Sequence, residues 1–177
     1  MDVFGHAVAI IMASEGGYSA DPGDPGNWTG GTVGVGECRG TNHGISAAAY
    51  PTLDIAALTT DAAAAIYRRD YWDRLSCDLM VPPLALLVFD AGVNNGIARS
   101  AEWLQGAVGA MPDGVIGPVT LRTAREAAQL RGWPDVCAET LARRIDFMAG
   151  LPTWPTFGPG WSRRLAHLPW QAMSLGS

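Results

Sequence analysis

The sequence predicts an all-α protein: one domain of about seven helices, interrupted by a single long, ordered Gly/Pro/Asp-rich loop. Three observations carry this reading. Apolar residues recur at helical spacing through most of the chain. Prolines and glycines punctuate those stretches where helices start and stop. Residues 19–44 concentrate Gly, Pro, Asp and Asn, which break helices and form turns. With 177 residues, 48% hydrophobic and only 16% charged, the chain is globular and long enough for one sizeable core. No repeat or linker divides it, so residues 1–177 read as a single domain. Within it, residues 1–96 carry the candidate chemistry, and residues 97–177 form C-terminal helices packed into the same body.

The first helix is expected over residues 3–15. Phe4, Val8, Ile11 and Glu15 fall at i, i+4, i+7 and i+11 and share one face. Gly16-Gly17 then ends the helix, because glycine takes a left-handed C-cap at little cost. The loop at 18–44 is longer than an ordinary connection, and Tyr18, Trp28 and its turn signals argue for an ordered, substrate-facing segment. It has room for a short β-hairpin around residues 32–35 and 44–45. Short helical turns follow at 46–50, stopped by Pro51, and at 54–58. Thr59-Thr60-Asp61 is an N-cap signal for a helix over 62–75. Pro82-Pro83 opens the next helix. Its stripe of Leu84, Leu87, Val88 and Ala91, flanked by Leu86, Phe89 and Val93, predicts a buried central helix. That helix ends in Asp90, Asn94 and Asn95, with Gly96 as terminator. A helix over 98–108 turns Ala101, Leu104 and Gln105 inward. Pro112-Asp113-Gly114 is a turn, and Gly117-Pro118 starts a helix to 130. Residues 134–149 form another, with Val136, Thr140, Ile145 and Met148 as core positions. Residues 152–159 read as irregular and Trp/Pro-rich, and a last helix covers 161–168.

Net charge is −5 and all twelve basic residues are arginine. A mildly acidic chain has no general attraction to nucleic acid, so nucleic-acid binding is disfavoured. Cys38, Cys77 and Cys137 are odd in number and widely spaced, which fits reduced thiols and neither a disulfide framework nor a metal-binding pair. His6, His43 and His167 are scattered without ligand spacing. No metal and no cofactor are expected. The apolar run at 7–13 is short and lacks a preceding positive region, so neither a signal peptide nor a membrane-spanning helix is expected. That points to a protein made in the cytoplasm, monomeric and without stable membrane association.

The chemistry centres on Glu15. A carboxylate there continues a core-facing stripe and sits at the negative end of a helix dipole. Both effects favour its protonated form and raise its pKa, as a general acid requires. The competing reading is a helix-terminal glutamate that reaches water. Asp21 and Asp24 follow in a turn-rich loop, where a carboxylate stays ionised. One protonated acid and one carboxylate across the scissile bond are what a glycosidase needs. Asp-Pro-Gly is also a turn former with no catalytic role. Tyr18 and Trp28 are candidates for stacking on sugar faces, or for packing under the loop. Asn94 or Asn95, at the end of the central helix, is a candidate for hydrogen-bonding a substituent of the sugar, with a C-cap role as the alternative. Asp90 reads as structural, paired with an arginine.

Glu15-Gly-Gly-Tyr18, then Asp21-Pro-Gly-Asp24-Pro-Gly, then Gly40-Thr-Asn-His-Gly-Ile-Ser46 resembles glycoside hydrolase family 108, the N-acetylmuramidases of phage and secretion-associated type. Tyr71-Trp72-Asp73 and Phe89-Asp-Ala-Gly-Val-Asn-Asn-Gly96 are similar to that family's central helices. Leu104-Gln105 and Asp113-Gly-Val-Ile-Gly-Pro-Val-Thr120 are similar to its C-terminal region, often described as a peptidoglycan-binding module. The resemblance implies a lysozyme-like fold and a peptidoglycan substrate, with Glu15 as catalytic acid. By analogy with phage lysozymes, it also implies an aspartate and a threonine working with it. Asp24 fits the aspartate, with Asp21 as the other choice and a substrate-binding candidate beside Tyr18, Trp28 and Asn94. Residues 28–39 look like an insertion, which leaves both Thr29 and Thr41 open as the threonine. Thr41 is preferred because Gly44-Ile45 follows it.

Inverting hydrolysis, retaining hydrolysis and lytic transglycosylation all remain compatible with these residues. A cysteine peptidase using Cys38 with His43 or His167 is disfavoured because nothing orients the base. A zinc amidase lacks clustered ligands. A non-catalytic peptidoglycan-binding protein is the strongest alternative of another class, but it leaves Glu15 unexplained. With a net charge of −5, wall binding would be local and shape-driven. A wall-active protein without an export signal implies an endolysin-like route, through a holin or dedicated export machinery, to the periplasm.

Overall fold

The structure is a computed structural model that describes residues 2–13 and 17–175. It is all-α. Among the described residues there are seven α-helices and one small two-stranded antiparallel sheet. The chain divides into two compact units, residues 4–68 and residues 69–175.

In the first unit, α1 (Val3–Ala13) buries Ala7, Val8 and Ile11, the face that the apolar spacing predicts. The expected continuation through Glu15 and the stop at Gly16 lie outside the described residues. The long loop is ordered by its own hydrogen bonds. Pro25–Asn27 is a 3₁₀ turn, and Trp28 and Cys38 form a β-bridge. β1 (Thr41–Asn42) pairs with β2 (Ile45–Ser46), with Thr41 opposite Ser46 and Asn42 opposite Ile45. His43 and Gly44 connect them with φ of 51° and 77°. Positive φ at both central residues is the two-residue hairpin geometry whose twist matches that of paired strands.

The expected strand at 32–35 is corrected. These residues are a turn, in which Val35 N donates to Thr32 O and Gly30 N to Val35 O. Gly31, Gly34 and Gly36 all take positive φ, which no continuous strand allows. The hairpin partner of 45–46 is therefore 41–42. α2 (Thr60–Tyr67) is capped by Thr59, whose Oγ1 accepts from Ala62 N at 3.2 Å.

The expected single helix over 62–75 is also corrected. A π turn, Arg68–Trp72, replaces the α-helix after Tyr67. Tertiary demand overrides local propensity here. Trp72 is wholly buried, meets Phe89 edge-on at 5.3 Å, and donates through Nε1 to Asp78 Oδ1 at 2.7 Å.

The second unit is built on α3 (Pro82–Asn95), in which every residue from 84 to 92 is buried. α3 packs on α4 (Ile97–Val108), α6 (Trp133–Ala149) and α7 (Trp154–Ser174). α5 (Pro118–Arg131) packs on α4 and α6. Gly96, at φ 92°, ends α3 and begins α4. Gln105, 1% exposed, clasps the 113–115 turn. Its Nε2 reaches Asp113 Oδ1 at 2.6 Å and Val115 O at 3.0 Å, and its Oε1 accepts from Gly114 N at 3.0 Å. The Leu104-Gln105 and Asp113-Gly114 blocks thus lock two helices together.

Two expectations in this unit are overturned. Ile145, read as core, is 38% exposed. The 152–159 stretch is helical, and α7 runs from Trp154 through Pro159 and Pro169 to Ser174. Pro155 sits in the first turn, where the missing N–H costs nothing. Trp154, Phe157 and Trp161, at i, i+3 and i+7, staple the proline-rich turns, with ring centroids 6.0 Å apart for Trp154–Trp161 and 5.8 Å for Phe157–Trp161. Gly158 passes so close beneath Trp154 that a Cβ would stand 2.7 Å from its ring.

Candidate active site

The loop carries most of the candidate residues, and a residue that the sequence did not mark holds it together. Asn27 is 1% exposed. Its Nδ2 donates to Asp21 O at 2.9 Å, and its Oδ1 accepts from Thr41 Oγ1 at 2.7 Å. Its backbone N–H donates to Asp24 O, and its carbonyl accepts from both Arg39 N and Gly40 N. The Asp21–Asp24 turns and the Thr41 strand therefore meet on one buried amide. The excursion at 28–38 leaves and returns at the same residue, so it is a closed hairpin. Thr29 belongs to this hairpin, with its Oγ1 accepting from Glu37 N at 2.9 Å. Thr41 lies outside it, paired with Ser19 through Ser19 N to Thr41 O at 2.9 Å and Thr41 N to Ser19 O at 2.8 Å.

Asp21 and Asp24 are exposed, and each forms the turn that Asp-Pro-Gly predicts. Asp21 Oδ1 accepts from Gly23 N and Asp24 Oδ1 from Gly26 N, both at 2.8 Å. In each case one carboxylate oxygen fixes the side chain in place. Trp28 is half-buried, and its Nε1 donates to Pro22 O at 3.0 Å, so it ties the turn to the hairpin.

Tyr18 is 50% exposed. Its hydroxyl donates to Arg39 O at 3.4 Å. Gly40, at φ 85°, comes so close that a Cβ would lie 2.7 Å from the Tyr18 ring and 2.5 Å from Ser19 O. The ring is seated on a glycine at which any side chain would bring strain and a clash, and it borders an open groove of about 470 Å³ that Arg39 and Asp54 also line. Arg39 is held by Glu37 Oε2 at 2.7 Å and by Pro51 O at 3.2 Å. A second buried amide, Asn42, pins the next segment through Nδ2 to Ile55 O and Leu58 O at 3.2 and 3.3 Å. Asn27 carries no sequence signal beyond its place in a turn-rich stretch, and Asn42 lies in the Gly40–Ser46 block without being singled out within it.

Glu15 lies outside the described residues. Asn94 belongs to the second unit, where its Nδ2 donates to Asp90 O at 2.8 Å. Asp90 is 1% exposed and ion-paired with Arg144 at 2.5 Å and with Arg164 at 2.6 Å, the structural pairing expected of it. Among the described residues, no group of three or more His, Cys, Asp or Glu is placed to hold a metal ion, and no helix is long and apolar enough to cross a membrane.

A mostly helical fold with a carboxylate-bearing loop after the first helix is the arrangement of a lysozyme-type glycoside hydrolase. The model of the family "Glycosyl hydrolase 108" matches residues 8–96. The solved structure of SagA from Brucella abortus is similar at a TM-score of 0.78 and 30% identity, over 98% of this chain and 95% of that one. No curated protein matches. The chain belongs to glycosyl hydrolase family 108. It is a peptidoglycan hydrolase of the lysozyme type.

Proposed function

We propose that the chain is an N-acetylmuramidase in which Glu15 protonates the leaving glycosidic oxygen. In this reading Asp24 activates water on the opposite face of the sugar, and Thr41 helps to position that water. The observation that supports it is the Asn27 junction. One buried amide fixes the Asp21–Asp24 turns and the Thr41 hydroxyl together, and Thr41 pairs with Ser19, four residues after Glu15 in the chain. A glycosidase must hold its second carboxylate and its water in fixed geometry against the acid, and a loop cross-tied in this way provides that rigidity. Asp24 enters through the oxygen that does not cap the 3₁₀ turn. Tyr18, half-exposed on a fixed seat, offers a ring face to a sugar. Asp21 and Trp28 keep the turn in shape beside it.

With water attacking from the opposite face, the anomeric configuration inverts, which requires carboxyls about 6.5–9.5 Å apart. Proton NMR of the first-formed anomer checks this step, and a retained anomer would overturn the role given to Asp24.

The deciding experiment is digestion of purified peptidoglycan by the wild type and Glu15→Gln, with products read by mass spectrometry. Reducing muramic ends from the wild type alone are expected. 1,6-Anhydro ends would mean a lytic transglycosylase, in which the sugar's own hydroxyl attacks and Asp24 is dispensable. Binding without cleavage by either protein would make the chain a wall-binding module.

A further inference from the structure

The groove beside Tyr18 has a chemistry that cleavage of a sugar chain leaves unused. It measures about 470 Å³ and lies within the first unit. One wall holds Tyr18 and Arg39, and the other holds Thr52, Asp54 and Ala56 above the buried Ile55. Hydrogen bonds tie the walls together. The Tyr18 hydroxyl donates to Arg39 O, Arg39 Nη1 donates to Pro51 O at 3.2 Å, and Asn42 Nδ2 donates to Ile55 O at 3.2 Å. The groove is therefore formed before any ligand arrives, which lowers the ordering cost of binding.

Each wall presents one charge with bonding capacity left over. Arg39 uses Nε on Glu37 Oε2 at 2.7 Å and Nη1 on Pro51 O, and its Nη2 has no partner among the described residues. The Glu37 side chain is 70% exposed, so water and salt screen it. It orients the guanidinium more than it neutralises it. Asp54 is exposed, and its Oδ1 accepts from Ala57 N at 3.2 Å. That bond fixes the side chain, while Oδ2 has no partner among the described residues.

A guanidinium on one wall and a carboxylate on the other select a ligand that carries both signs. A purely anionic ligand would meet Asp54, and the net charge of −5 attracts no anion from a distance. A purely cationic ligand would meet Arg39. A neutral sugar would displace water from both charges without replacing it by an ion pair. In peptidoglycan, the part that carries both signs is the stem peptide: it has free carboxylates and, where it is not cross-linked, a free amine on its diamino acid. Tyr18 follows the proposed acid by three residues, a span of at most about 11 Å, and the stem branches from the muramic sugar at the bond to be cut.

We infer that this groove is a subsite for the stem peptide, in which Arg39 Nη2 pairs with a stem carboxylate and Asp54 with the free amine of the diamino acid. The two residues set a preference for peptide-bearing over bare strands. The inference rests on the peptidoglycan-hydrolase reading and extends it from the sugar chain to its branches. It is independent of the role given to Glu15.

The test compares three glycan strands of equal length, each labelled at the reducing end: peptide-bearing, peptide-bearing with its amines acetylated, and stripped of peptide by an amidase. Binding is read by fluorescence anisotropy with the full-length protein in the Glu15→Gln background. Peptide-bearing strands are expected to bind about fivefold tighter than stripped ones, the scale of one or two partly exposed ion pairs. Acetylating the amine should remove much of that difference. Asp54→Asn keeps the Oδ1 acceptor and the fold, and it is expected to bind the first two strands equally. Arg39→Gln is expected to weaken both alike. Equal binding of all three strands, tighter binding of stripped strands through their free muramic carboxyl, or an amine preference that survives Asp54→Asn would each overturn the inference. Reducing ends released from the same strands by the wild type are scored separately. Preference without cleavage keeps the groove and removes the hydrolase, and cleavage without preference does the reverse.

Discussion

Thr41 Oγ1 donates to Asn27 Oδ1 at 2.7 Å, joining residues fourteen apart across the base of a closed hairpin. The bond is part-buried, and Asn27 has no water-facing alternative. Thr41→Val keeps the shape and removes the donor. It is expected to cost about 1–3 kcal/mol, the price of an unsatisfied buried acceptor, and to lower peptidoglycan cleavage at least tenfold. Thr41→Ser restores the hydroxyl and is expected to recover most of both. Urea unfolding and product formation measure the two effects. Full activity in Thr41→Val would remove Thr41 from the mechanism.

Gly40 combines φ 85° with contact against the Tyr18 ring and Ser19 O. Gly40→Ala adds both backbone strain and a clash, and it is expected to destabilise the loop by roughly 1–3 kcal/mol. Because the strain falls on the seat of Tyr18, KM for peptidoglycan fragments should rise more than kcat falls. A variant indistinguishable from wild type would show that the ring position does not matter.

Asp90 holds two arginines in the core of the second unit. Asp90→Ala leaves the Arg144 charge buried and uncompensated, which costs roughly 3–5 kcal/mol. Burial already pulls the Arg144 pKa below its usual value, although Asp90 opposes this. Exchanging both residues for apolar ones of similar volume is expected to recover most of the loss. A double-mutant cycle by chemical denaturation reads the coupling, and additive losses would contradict it.

Asp113 is held below the usual carboxylate range, first by the side-chain hydrogen bond from Gln105 and then by Val115 N–H. A carboxyl depressed in the folded state favours folding above its ordinary value of 3.8, and that contribution disappears as pH falls through the lower folded value. The melting temperature of the wild type should therefore drop more steeply below about pH 4 than that of Asp113→Asn, which keeps the acceptor oxygen but does not titrate. Parallel acid limbs would show that the Gln105 clasp is not charge-dependent.

Cys137 lines an apolar groove with Leu141, Ile145 and Met173, and burial pushes its thiol up to about 11. Because the thiolate is the reactive form, iodoacetamide labelling at this site should be slow at neutral pH and accelerate only as pH approaches that value. Mass mapping of the labelled peptide over a pH series checks this.

The sequence determined the helices whose signals are local. Pro82, Pro118 and the Thr59 cap mark three helix starts, and the apolar run of α3 declares a buried helix, because capping and periodicity act within a few residues. It also marked the Asp21–Asp24 turns, since Asp-Pro-Gly closes on itself. Tertiary structure alone decided the rest. The π turn that ends at Trp72 and the continuation of α7 through Pro159 and Pro169 both go against local propensity; Trp72 packs on Phe89, and Trp154, Phe157 and Trp161 pack together around Pro159. The strand pairing settled at 41–42 and 45–46 because His43-Gly44 supplies the right turn, a choice between two Gly-rich stretches that periodicity does not rank. Asn27 and Asn42 acquire their roles only through partners up to sixteen residues away. A buried amide takes its meaning from the groups that satisfy it, and those are set by the fold.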